Sequence, residues 1–189
     1  MYLHQHWILT NIPDDIADNC RRMKEMNPEY DYILWDDERA IREFPELKKF
    51  FEERITPTFI SDILRMLVHT KYKGIYVDAD FIPLKPLHCI PELSMEGSAI
   101  PEFPPGVCSH QTGFFMLADD FDVSDLIRNF YPNRPMMKEW SDLIASSSFK
   151  VNTISVDIVG PNGSVLQDME MRSFIGKNNQ IIRNVEERR

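Results

Sequence analysis

One stretch, TFISDILRMLVHTKYKGIYVDADFIPLKPL from Thr58 to Leu87, constrains the fold more than any other part of the chain. Thr56 and Pro57 ahead of it are N-cap and first-turn residues, which predicts a helix starting there. Ile60, Ile63, Leu64, Leu67 and Val68 recur at helical spacing and give that helix one apolar face. Gly74 falls where a left-handed C-cap is needed, and the β-branched and aromatic run Ile75-Tyr76-Val77 turns the chain into a buried strand. Pro83 and Pro86 prevent that strand from continuing.

Two polar features of the stretch point beyond packing. Asp62, Arg65 and His69 are three and four residues apart and share one side of the helix, predicted to lie opposite the apolar face. Asp78 and Asp80 are two apart at the strand end, so their carboxylates can aim the same way. Paired carboxylates repel unless a cation lies between them. A hard divalent ion such as Mn²⁺ or Mg²⁺, which takes a few carboxylates together with phosphate oxygens, matches that pattern and suggests a diphosphate ligand. Asp-x-Asp by itself is common, and a solvated acidic turn is the bland alternative. For Asp62 and Arg65 the bland alternative is a surface ion pair worth less than about 1 kcal/mol.

The segment Ser61-Asp62-Ile63-Leu64-Arg65, followed by Lys73-Gly74-Ile75-Tyr76-Val77-Asp78-Ala79-Asp80, resembles the sugar-binding region of DXD glycosyltransferases. These include yeast initiating mannosyltransferase-like enzymes, capsular polysaccharide sugar transferases and the glucosylating domain of large clostridial toxins. The chain also resembles a glycosyltransferase domain encoded by a chlorella virus. The resemblance implies an α/β GT-A fold, the Rossmann-like fold of nucleotide-diphospho-sugar transferases. It would be a single domain over 1–189, with a central mixed, mostly parallel sheet flanked by helices. It further implies an enzyme dependent on Mn²⁺ or Mg²⁺, mostly retaining, that moves a sugar from a nucleotide-diphosphate donor, with a UDP-sugar favoured, to a glycan or protein-linked acceptor.

Site roles follow from the same resemblance. Asp80 would coordinate the metal, and Asp78 would hold ribose, donor hydroxyls or metal-bound water. Asp62 and Arg65 would hydrogen-bond donor sugar hydroxyls, and Trp7, in His4-Gln5-His6-Trp7-Ile8, would stack on uracil. A core tryptophan is the alternative for Trp7. Asp157 and Asn162, the latter in the turn Gly160-Pro161-Asn162-Gly163, are candidates to complete the metal shell or touch the diphosphate. His110-Gln111-Thr112 lies where relatives carry an asparagine near the donor sugar, and that asparagine is absent here. No catalytic base stands out, and in a retaining front-face reaction the leaving phosphate can take the acceptor's proton.

The remaining segments fit a doubly wound α/β sheet. Tyr2–Leu9 is predicted as a first strand, Asp14 and Asp15 as the cap of a helix ending before Pro28, and Tyr30–Trp35 as a second strand. Asp36 and Asp37 begin a short helix to Phe44, and Pro45 restarts another reaching Ile55. A short strand is expected at Ser98–Ile100, a buried one over Gly113–Leu117, helices over Ser124–Tyr131 and Met136–Ser146, and a strand over Val151–Ile158.

A net charge of −9 argues against a nucleic-acid or anionic-membrane surface, although a metal would let such a protein hold a diphosphate. Three cysteines without CxxC spacing suggest a reducing compartment. With neither a signal peptide nor a membrane span, the sequence reads as cytoplasmic, in the host cytoplasm if viral. Two other functions stay open. His4 and His6 could join Asp78 and Asp80 as a metallohydrolase site. A length of 189 residues is short for a complete glycosyltransferase, so the chain could also be a nucleotide-sugar-binding module or part of a longer polypeptide.

Overall fold

The structure, a computed structural model, describes residues 1–53, 55–83, 85–94, 98–101, 113–117 and 151–154. Asp157, Asn162, His110–Thr112, the two helices expected after Ser124 and the last residues of the Val151–Ile158 strand lie outside them.

A six-stranded sheet runs in the order β2-β1-β3-β5-β4-β6. The strands are β1 (Tyr2–His6), β2 (Asp31–Trp35), β3 (Ile75–Val77), β4 (Ser98–Pro101), β5 (Phe114–Met116) and β6 (Val151–Ile154). β1 pairs in parallel with both β2 and β3, β5 lies antiparallel to β3 and β4, and β4 and β6 are again parallel. The expected mixed, mostly parallel sheet is therefore present. Among the described residues four α-helices accompany it: α1 (Asp14–Met26), α2 (Asp37–Glu43), α3 (Lys48–Glu52) and α4 (Pro57–Tyr72).

The strand period of two divides the core between the faces of the sheet. On one face Trp35, Tyr76 and Phe115 pack with Ile60, Ile63 and Leu64 of α4 and with Leu47. On the other, Leu3, Ile75, Val77, Phe114 and Met116 pack with Met23 of α1. Each such fully buried aliphatic or aromatic side chain contributes about 1.5–3 kcal/mol.

Local starts and stops differ from expectation in instructive ways. Pro57 occupies the first turn of α4 as predicted, but the Thr56 side chain makes no capping hydrogen bond. α1 begins at Asp14 itself, so Asp14 and Asp15 sit in its first turn, where they favour the helix dipole, rather than capping it. Asp36 does cap α2, accepting from the Arg39 amide at 2.8 Å. β1 ends at His6, short of the predicted Leu9, and Leu9 adopts a left-handed φ of 67°. At the end of α4 the C-cap is Lys73, with φ 56°, and Gly74 follows at φ 101°. Glycine is required there for a second reason: a Cβ would stand 2.4 Å from the Tyr2 carbonyl oxygen.

The polar side of α4 departs most from expectation. Ser61, Arg65 and His69 are buried, not solvated, and run beside the apolar residues against the sheet. The strand face they meet is itself aromatic. Arg65 lies over the Tyr76 ring at 5.2 Å, and His69 meets Phe115 edge-on at 5.9 Å. Among the described residues no helix is long and apolar enough to cross a membrane.

Candidate active site

The sheet order places β2 on one side of β1 and β3 on the other, so the topology reverses between β1 and β3. In open α/β sheets the crevice beyond the carboxyl ends of strands at such a point is where ligands bind. A cavity of about 240 Å³ opens there. His6, Trp7, Ile8 and Thr10 line it from the end of β1, Pro57, Thr58, Ser61 and Arg65 from α4, and Asp78, Ala79 and Asp80 from the turn after β3.

Asp78 is fixed from several directions. Its amide donates to the Gly113 carbonyl at 2.6 Å, and its own carbonyl accepts from the Gln5 side chain at 3.2 Å and the Phe81 amide at 3.1 Å. The carboxylate Oδ1 accepts the Tyr76 hydroxyl proton at 2.5 Å and lies 3.3 Å from Arg65 Nη2. The same hydroxyl contacts His6 Nδ1. Tyr76 and Asp78 share a strand face because they are two residues apart, and His4 pairs in register with Tyr76, which carries His6 alongside Asp78.

Arg65 also reaches Asp62 Oδ1 at 3.4 Å, and its Nε donates to the Ser61 carbonyl at 3.4 Å. Burial alone would lower its pKa, but Asp78, Tyr76, Asp62 and Asp80 outweigh that and raise it, so the guanidinium stays charged. Burial raises the Asp62 carboxyl, with Arg65 opposing and Asp78 adding to the rise. Asp62 is not one of the cavity-lining residues. The surface-ion-pair alternative is excluded for Arg65, whose side chain is only 8% exposed. Burial also raises the Tyr76 hydroxyl well above its ordinary pKa, with Arg65 opposing and Asp78 adding, so it keeps its proton.

Trp7 is half-buried, packs beside Ile16, Cys20 and Ala79, and presents part of its ring to the cavity. Its indole nitrogen donates to Thr10 Oγ1 at 3.1 Å, which holds the ring plane. Trp7 therefore packs against a core cluster on one side while lining the cavity.

The His-x-His arrangement does not fit a metal. His4 Nε2 donates to the Lys73 carbonyl at 2.8 Å and Nδ1 accepts from the Trp35 indole at 3.2 Å, so both ring nitrogens are engaged. Among the described residues no three His, Cys, Asp or Glu side chains gather as a metal cluster. Asp78 and Asp80 nevertheless offer hard carboxylate oxygens on one cavity wall. This donor set suits Mg²⁺ or Mn²⁺ completing its shell from phosphate and water, and does not suit Zn²⁺.

Of the residues singled out from the sequence, Trp7, Arg65, Asp78 and Asp80 line this one cavity, whereas Gln5, Tyr76 and Gly113, which hold Asp78, were not foreseen. Tyr76 carried a signal in its spacing from Asp78. Gln5 and Gly113 carried none, because their contacts to Asp78 are distant in sequence.

Residues 13–98 match the family model for the glycosyltransferase sugar-binding region containing DXD motif. A mannosyl phosphorylinositol ceramide synthase of Saccharomyces cerevisiae is 30% identical over 82 residues, 41% of this chain and 22% of that protein. An inositol phosphoceramide mannosyltransferase of Schizosaccharomyces pombe is 30% identical over 83 residues, 41% of this chain and 23% of that protein. The match thus spans under a quarter of these relatives' length. The solved PaToxG glycosyltransferase superposes with a TM-score of 0.52 at 18% identity, covering 67% of this chain and 58% of that one, a likeness of fold.

Proposed function

We propose that this chain, which carries a DXD-motif glycosyltransferase domain of GT-A-like fold related to mannosyltransferases, transfers a hexosyl or deoxyhexosyl unit from a nucleotide-diphosphate sugar to a glycan or glycoprotein acceptor. The observation that carries the proposal is the convergence of Trp7, Arg65, Asp78 and Asp80 on one cavity at the switch point of the sheet.

In this reading the half-buried face of Trp7 stacks on the nucleobase. Arg65, held charged between two carboxylates, donates to hydroxyls of the donor sugar, and Asp62 balances its charge from behind. Asp78 offers the oxygen not occupied by Tyr76 and Arg65 to ribose or sugar hydroxyls. Asp80, with Asp78 beside it, would hold Mn²⁺ or Mg²⁺, which would supply Lewis-acid charge neutralisation at the diphosphate. Asp157 and Asn162 remain candidates for its further ligands. The acceptor oxygen bonds to the anomeric carbon as the sugar–phosphate bond breaks, and the leaving phosphate takes the acceptor's proton, with retention of configuration.

The relatives' names keep mannosyl donors beside UDP-sugars in the test. Purified chain is titrated with UDP- and GDP-sugars in the presence of Mn²⁺ or Mg²⁺ and followed for nucleotide release. Metal-dependent turnover of one donor is expected. Metal-dependent binding without turnover would favour a nucleotide-sugar-binding module, and absence of both would refute the proposal.

A further inference from the structure

The Tyr76 hydroxyl has a single proton, and it goes to Asp78 Oδ1 at 2.5 Å. His6 Nδ1 contacts the same hydroxyl oxygen. With the hydroxyl proton committed to a carboxylate that can only accept, the His6 contact must be Nδ1–H donating to the tyrosine oxygen. His4, two residues earlier on the same strand face, is constrained the opposite way. Its Nδ1 accepts from Trp35 and its Nε2–H donates to Lys73.

We infer that His6 and Tyr76 are positioning residues, a donor chain His6 Nδ1–H to Tyr76 Oη–H to Asp78 Oδ1 that fixes the orientation of the Asp78 carboxylate. The ring carrying the hydroxyl is itself immobilised. It stacks between His6, at 5.6 Å and 28°, and Phe115, at 5.2 Å and 26°. Arg65 Nη2 reaches the same Oδ1 at 3.3 Å, so two donors hold one oxygen of the carboxylate and the other rests against Gly113. An apolar residue at position 6 would fill the space, since His6 is only 7% exposed, but would leave the tyrosine oxygen without its donor. The histidine at this position is therefore explained by its hydrogen bond to Tyr76. This inference rests on the reading of Asp78 as a donor-binding carboxylate.

The test combines a spectroscopic signature with a split of binding from turnover. Long-range ¹H–¹⁵N correlation spectra of the full chain should show His6 as the Nδ1–H tautomer and His4 as the Nε2–H tautomer. Tyr76→Phe and His6→Leu should each lower turnover of the donor roughly ten- to a hundredfold, with free UDP affinity within about twofold. His6→Asn, which retains an N–H donor near the same place, should recover most of the loss. His6 found as the Nε2–H tautomer would overturn the inference. So would Asn and Leu at position 6 behaving alike, or turnover unaffected in Tyr76→Phe. If the native chain turns over no nucleotide sugar, the functional proposal fails by itself. The inference is then decided by the tautomers and by Mn²⁺ affinity, which Tyr76→Phe should weaken roughly tenfold if Asp78 has lost its orientation.

Discussion

Gly113 and Asp78 are in contact twice: the glycine carbonyl accepts the Asp78 amide at 2.6 Å, and a Cβ on the glycine would stand 2.7 Å from Asp78 Oδ2. The start of β5 therefore acts as a backstop for a carboxylate that β3 delivers. Gly113→Ala must push that carboxylate away or tilt the strand. A misplacement of this kind costs turnover on the order of a hundredfold, while overpacking costs roughly 1–3 kcal/mol of stability. Donor kinetics beside a melting curve check it, and native kinetics in a folded variant would remove the backstop role.

Asp80→Asn keeps the shape of the turn but replaces a carboxylate with a neutral amide. If Asp80 is the principal protein ligand for the metal, Mn²⁺-dependent donor turnover should be lost while free UDP binding without metal persists. Calorimetry of UDP with and without Mn²⁺ distinguishes this outcome from unfolding. A variant that still needs Mn²⁺ and turns over donor normally would move the metal elsewhere.

Trp7→Ala should weaken free UDP by roughly 1–3 kcal/mol, the range found for base–aromatic stacking. Removing the hydrogen bond that holds the indole, by Thr10→Val, should give a smaller loss in the same direction. Unchanged UDP affinity in both, with the fold intact, would mean that the base lies elsewhere.

Much of this site could be read along the chain, and what could not has a common physical cause. The spacing of Asp62, Arg65 and His69 told correctly that they share a side of α4. It could not tell that the side is buried, because burial depends on what the strands opposite present. His4 and His6 looked like one ligand pair since they share a face. Only their partners, Lys73 and Trp35 for one and Tyr76 for the other, reveal two separate hydrogen-bonding duties. The strand–helix–strand opening and the order of most elements were legible because periodicity, Pro and Gly are local signals.

His4 and His69 make acid stability a test of the core. Burial is the largest cause in both, lowering His4 to about 4, partly opposed by its bond to Lys73 and assisted by Arg39, and His69 to about 3, assisted by Lys73 and His4. Unfolded, each titrates near 6.5, so below that pH the unfolded chain binds more protons than the native one. Their stabilising contribution is full above about 6.5 and falls progressively toward pH 4 and 3, by an amount on the order of a few kcal/mol. Urea midpoints measured from pH 7.5 to 4.5 should decline, and His69→Phe should flatten part of that slope. An unaltered slope would mean that His69 titrates normally in the folded protein.

Among the described residues Arg65 is the one cation tied to both Asp62 and Asp78, which separates its role from that of Asp62. Removing it by Arg65→Ala leaves Asp62 and Asp78 partly buried and facing each other. Breaking a buried pair in this way costs about 3–5 kcal/mol, so stability and donor turnover should fall together. Asp62→Asn keeps the volume and retains an acceptor for Arg65, whose charge Asp78 still balances at 3.3 Å. That variant should melt close to the native chain and bind UDP–Mn²⁺ normally, since that ligand has no sugar. If Arg65 contacts the donor sugar and Asp62 only tunes it, Asp62→Asn should lower turnover of the intact donor by no more than about tenfold, the cost of one weakened charged hydrogen bond. A hundredfold loss at unchanged UDP–Mn²⁺ affinity would instead put Asp62 itself on the sugar. Equal losses of UDP–Mn²⁺ and sugar-nucleotide affinity would take both residues out of the sugar subsite. Calorimetric titration of both ligands into the two variants, beside melting curves, decides among these outcomes.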